Sequence, residues 1–84
     1  MRVRIHPHAA QRLSERGASR LKAVRTVQTG KRCPAKFGRF EFVARFPFGK
    51  IWLGKKYATK QVHAIASPQG VDDWLIVTVF VKFF

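Results

Sequence analysis

The sequence predicts an α+β domain in which two N-terminal helices pack on one face of a mainly antiparallel four-stranded sheet. Three observations carry that expectation. The first thirty residues space their apolar side chains as helices do and are punctuated by Pro7, Gly17, Ser19 and Gly30. From Phe40 onward the apolar period changes to two. The chain has 84 residues, 46% of them apolar and eight of them Phe, which suffices for one core and not for two. Residues 1–84 therefore read as a single domain.

Taken in order, Arg2 to Ile5 alternates charged and apolar residues and reads as a short strand or an extended arm. Pro7 suits the first turn of a helix, where its missing N–H is no loss. That helix is expected to run through Ala9, Ala10 and Leu13 to Arg16 and to stop at Gly17, a left-handed cap. Ser19 is an N-cap for a second helix, with Leu21, Val24 and Val27 as its buried ridge and Gly30 as its stop. Phe40, Phe42, Ala44 and Phe46 alternate with Arg39, Glu41, Val43 and Arg45, which marks a half-buried strand. Pro47-Phe48-Gly49-Lys50 and Ser67-Pro68-Gln69-Gly70 read as turns. Lys50–Leu53 and Lys60–Ala66 give two more strands. Trp74 to Phe83, the most apolar segment, is expected to be a central one.

Seventeen Lys and Arg stand against four acids, a formal net charge of +13. Self-repulsion of that size costs stability, so a polyanionic partner is the economical explanation. RNA, DNA, an acidic protein and an anionic membrane surface all qualify. No segment is long enough to span a bilayer, and no apolar stretch near Met1 resembles a secretion signal. Cys33 is the one cysteine, consistent with a reducing cytoplasm. His6, His8, Cys33 and His63 form no zinc-binding spacing, and no cofactor or metal is expected.

His8, Arg12 and Arg16 recur every fourth residue. On an α-helix such a series drifts only about 40° per step, so one imidazole and two guanidiniums share a face. An imidazole can exchange a proton near neutral pH, and a guanidinium fork can grip two phosphate oxygens. Cleaving RNA by attack of its own 2′-OH needs those functions: a base, an acid and cations for the phosphorane charge. His8 is the leading acid–base candidate, with Arg12 and Arg16 as phosphate clamps and His63 as a second proton-transfer group. Arg20, Lys55 and Lys56 are candidates for the RNA path, with Tyr57 stacking a base and Thr78 donating a hydrogen bond. Glu41 is expected to pair with Arg39 or Arg45, and the Phe residues at 40, 42, 46 and 48 to be core.

His8-Ala-Ala-Gln-Arg12-Leu-Ser-Glu-Arg16-Gly17 resembles the opening motif of a family of small prokaryotic proteins grouped with the RelE-like toxins. Ser19, Val62-His63 and Thr78-Val79-Phe80 resemble its later elements. The resemblance implies a curved RelE-like sheet and metal-independent cleavage of messenger RNA, either free or in the ribosome. It also implies a toxin–antitoxin pair with an acidic antitoxin protein as partner. A non-catalytic module that binds nucleic acid or an acidic protein is the alternative on the same fold.

Overall fold

The computed structural model describes residues 1–84. Strand β1 (Arg2–Ile5) leads into helix α1 (Pro7–Arg12) and a 3₁₀ turn at Ser14–Arg16, followed by helix α2 (Arg20–Thr29). Strand β2 (Lys31–Pro34), a second 3₁₀ turn at Lys36–Gly38, and strands β3 (Phe40–Trp52), β4 (Lys55–Gly70) and β5 (Asp73–Phe83) complete the chain.

The sheet corrects the expected architecture. It has five strands, not four, in the order β1-β5-β4-β3-β2, and it is mixed because β1 runs parallel to β5. Strands hold 57% of the residues, and of the two helices α1 has only six. The expectation of two helices on one face of a four-stranded antiparallel sheet fails for local reasons. Strand β2 is exposed at all four positions and ends in Pro34, so it shows no apolar alternation. Pro47 and Gly49 do not reverse the chain. They interrupt the β3–β4 ladder between Pro47 and Lys50, and pairing resumes at Tyr57 and Lys50. The reversal comes at Leu53-Gly54, both with positive φ, flanked by the pair Trp52–Lys55. That is the backbone a two-residue hairpin needs. Likewise β4 runs through Ser67-Pro68-Gln69-Gly70 with an irregularity, and the reversal falls on Val71-Asp72.

Helix α1 also ends early. Leu13 N–H bonds back to the Ala10 carbonyl, and Arg16 and Gly17 continue with three-residue spacing. This tightening to 3₁₀ is a common way for a helix to finish. Gly17 takes the left-handed φ of 71° that the sequence suggested. Helix α2 starts as expected, with Ser19 Oγ accepting from Lys22 N–H at 3.2 Å, and stops at Gly30. Its buried side, however, is Ala23, Thr26 and Val27, while Leu21 is 70% exposed. Small residues on that side let the helix sit close to the sheet. A side chain at Gly30 would collide with the Thr26 carbonyl and lie 2.7 Å from that of Val43. Thr26 is tolerated in the core because its Oγ1 donates to the Lys22 carbonyl at 2.7 Å.

The core lies between α2 and one sheet face and centres on Phe42, Val62, Ala64, Ala66, Trp74 and Ile76. Trp74 takes Phe40 and Phe42 edge-on, with centroids 5.6 and 5.2 Å away. Glu41 on β3 and His63 on β4 alternate onto the other face. An irregularity between Ile76 and Thr78 switches the alternation of β5, so that Val79 points to the core and Thr78 and Phe80 join Glu41 and His63. No helix is long and apolar enough to cross a membrane.

Candidate nucleic-acid interface

Strand β1 pairs with β5 only as far as Ile76. Beyond it, α1 and the following 3₁₀ turn take over the edge of β5. His6 N–H donates to the Ile76 carbonyl at 2.8 Å, and Arg16 Nη1 donates to the Val79 carbonyl at 2.7 Å. Between those two anchors lies a cleft of about 100 Å³ lined by His8, Ala9, Arg12, Arg16, Val77 and Thr78. A water molecule occupies about 30 Å³ in the liquid, so the space suits a group the size of a phosphate. The row of His8, Arg12 and Arg16 therefore faces a cleft, together with Thr78, although Arg16 sits on a 3₁₀ turn.

The cleft does not stand alone. His8, Val77 and Thr78 also line a neighbouring depression of about 470 Å³ that extends to His6, Arg39, Ser67 and Gln69. Arg39 in turn lines a third, of about 360 Å³, with Lys36, Phe37 and Glu41. Shared residues join the three into one path from Arg16 to Lys36 across the face that α2 leaves open. None of its Lys or Arg side chains meets a carboxylate. Of the 17 Lys and Arg side chains, only Arg4 meets a carboxylate, that of Asp73 at 3.4 Å. Asp72 is taken by the N-terminal amine at 3.0 Å, and Glu41 by His63 at 3.0 Å. The expected pairing of Glu41 with Arg39 or Arg45 is not formed.

His63 lies apart from the His8 cleft. It is 8% exposed and stacks on Phe80 with centroids 4.5 Å apart. Arg45 Nε donates to Gln61 Oε1 at 2.7 Å, which leaves the Gln61 amide nitrogen to donate to His63 Nε2 at 2.8 Å. His63 Nδ1 then carries the proton of the neutral ring and donates to Glu41 Oε2 at 3.0 Å. Both ring nitrogens are engaged within the sheet face.

His6 was not singled out by sequence reasoning, yet it lines the path. Its Nδ1 accepts from His8 N–H at 3.1 Å, capping α1, and its ring centroid is 6.4 Å from that of His8. The cap assigns its proton to Nε2, so His6 can donate a hydrogen bond from there. The Pro7 helix start was the available signal, because the residue before it is the cap position. His8 has no protein partner on either ring nitrogen and is exposed.

The other predicted contacts sit elsewhere. Lys55, Lys56 and Tyr57 stand at the hairpin end of β4, eight or more residues from the Ile65–Thr78 pair, which is at least about 26 Å along the strand. Tyr57 packs on Phe83 at 5.5 Å with Lys55 over its ring. Arg20 lines a separate apolar depression with Val3, Ile5, Leu21 and Val24.

Comparison with known proteins adds nothing to this geometry: no family model, no curated protein and no solved structure matches the chain.

Proposed function

We propose that this protein binds RNA along the cationic path and cleaves it at the His8 cleft by attack of the 2′-OH on the adjacent phosphate. The observation that carries the reading is the convergence of one free imidazole, two guanidiniums and a hydroxyl on a phosphate-sized cleft. In this chemistry His8 takes the proton of the 2′-OH as the 2′ oxygen bonds to phosphorus. The bond from phosphorus to the 5′ oxygen breaks, and that oxygen takes a proton from the imidazolium or from water. Arg12, Arg16 and Thr78 hold the phosphorane oxygens, where charge builds up, and His6 borders the adjoining depression. The products are a 2′,3′-cyclic phosphate and a 5′-hydroxyl.

Messenger RNA, free or on the ribosome, is the substrate we assign, and toxicity restrained by an acidic antitoxin is the cellular role. The surplus of unpaired cations suits both partners. Expression in a bacterial host tests this. Wild-type protein should arrest growth, His8→Ala should not, and co-expression of the neighbouring gene should restore growth. Normal growth with wild-type protein at levels that bind cellular RNA would overturn the toxin assignment.

One observation favours a second reading, binding without cleavage: the cleft holds a single imidazole, so it does not place a second one to serve as acid where His8 serves as base. On that reading His8→Ala is silent, and Arg12→Ala weakens binding to every sequence alike.

A further inference from the structure

The aromatic residue expected to stack a base, Tyr57, is occupied by Phe83. Another aromatic has no aromatic neighbour. Phe37 is 87% exposed and sits in the turn joining β2 to β3, on the third depression of the path. Its backbone is left-handed, with φ 62° and ψ 36°, and Gly38 follows at φ 69°. A bulky residue in that conformation is an outlier, since its Cβ crowds the following carbonyl. The turn holds it there: Ala35 N–H donates to the Arg39 carbonyl at 2.9 Å, and Arg39 N–H to that of Lys36 at 3.3 Å. Glycine or asparagine would suit the backbone better, and the ring contributes almost nothing to the core. A strained residue with no packing role asks for a role outside folding.

The surroundings name the ligand. The Arg39 guanidinium lies over the Phe37 ring at 6.0 Å, and Lys36 precedes it in the chain. Arg39 also borders the depression that contains His6, His8 and Thr78, so the ring and the phosphate-binding groups share one continuous surface. An open aromatic face flanked by cations along a basic groove is what an unpaired nucleobase and its phosphates require.

We propose that Phe37 is a stacking platform for a nucleobase, which makes single-stranded nucleic acid the ligand of the path. The inference rests on the reading that this face takes nucleic acid. A duplex keeps its bases stacked on one another and gains nothing from the ring.

The test is fluorescence anisotropy with a labelled oligouridine carrying 2′-O-methyl groups, which cannot be cut, and with an RNA duplex of equal length. Phe37→Ala should weaken single-strand binding by roughly 5- to 150-fold, the range that loss of one base–aromatic stack gives. Duplex binding and the salt dependence of single-strand binding should not change, and Phe37→Tyr should behave as wild type. Arg12→Ala should weaken binding to both ligands and lower the salt slope. Unchanged single-strand affinity in Phe37→Ala, alongside a weakened Arg12→Ala, would overturn the stacking role and leave the nucleic-acid reading standing. Absence of binding by the wild type, or an Arg12→Ala indistinguishable from it, would overturn both.

Discussion

Arg16 Nη1 donates a 2.7 Å hydrogen bond to the main-chain carbonyl of Val79, fastening the turn after α1 to the edge of β5. One of the two guanidiniums assigned to phosphate thus also holds the cleft together. The remaining N–H groups of the fork stay available for an anion. Arg16→Ala should lower unfolding free energy by about 1.5–3 kcal/mol, the worth of a hydrogen bond made by a charged group. Arg12→Ala should leave stability within about 0.5 kcal/mol, because Arg12 is exposed and makes no such bond. Urea unfolding of the two variants checks the difference.

Gly17 follows Arg16 for two physical reasons. Its φ of 71° suits glycine, and a Cβ there would stand 2.9 Å from the Phe83 ring and 3.2 Å from that of Trp52. Those rings belong to an aromatic group in which Trp52 stacks on Phe83 at 5.3 Å and Phe48 adjoins it at 5.1 Å. Gly17→Ala should therefore cost at least about 1–2 kcal/mol from backbone strain alone. Displacing Phe83 should add to that. The readout is the thermal midpoint together with the Trp fluorescence of the folded state.

The Arg45–Gln61–His63–Glu41 chain predicts a structural role for His63. Glu41→Ala removes the acceptor of a largely buried N–H and should destabilise the fold by about 1–3 kcal/mol. In protein that remains folded, the rate of cleavage at saturating RNA should be within about threefold of wild type, since Glu41 borders only the far end of the path and neither it nor His63 lines the His8 cleft. A loss of about 10²-fold or more in a folded Glu41→Ala protein would instead assign His63 to proton transfer.

Lys60 supplies a pH signature. Partial burial, then the nearby cations Lys22 and Lys50, lower its pKa from the ordinary 10.5. Lys22 lies 4.4 Å above the Phe46 ring, the residue paired with Lys60, and no carboxylate compensates the cluster. The native state then binds fewer protons than the unfolded chain between the lowered pKa and 10.5, so stability rises with pH across that window. Below the window the cost of the buried ammonium is present in full. Lys60→Met should be more stable than wild type at neutral pH, and the advantage should shrink as pH approaches 10.5. Chemical denaturation at a series of pH values measures it.

Part of this was legible in the sequence. Ser19 and Gly30 bound α2 because capping chemistry is local, and the alternation from Phe40 to Phe46 marks β3 because one face must be apolar. Helical geometry puts His8 and Arg12 on one face, whereas Arg16, on the 3₁₀ turn beyond the helix, reaches the same cleft while bonded to the Val79 carbonyl. What was not legible depends on long-range pairing. Pro47, Gly49 and Pro68 carry turn chemistry, yet they mark irregularities in strands that continue, because the neighbouring strands hold the register, and Gly70 ends β4 just before the reversal. Leu53-Gly54 carries little hairpin signature and makes a two-residue reversal. The buried side of α2 follows the close approach at Gly30, not the larger side chains Leu21 and Val24. His6 carried only the signal of a cap position before Pro7, and Phe37 carried none, because its place depends on a left-handed φ.

In the proposed reaction His8 transfers the proton of a ribose 2′-OH at a phosphate held by Arg12 and Arg16. Its most direct test is end-group analysis of RNA incubated with purified protein, alone and with ribosomes, and with His8→Ala in parallel. Fragments should carry 2′,3′-cyclic phosphate and 5′-hydroxyl ends, a 2′-deoxy nucleotide at the cut site should block the break, and His8→Ala should be slower by about 10²-fold or more. Intact RNA under both conditions, or equal rates for wild type and His8→Ala, would contradict it.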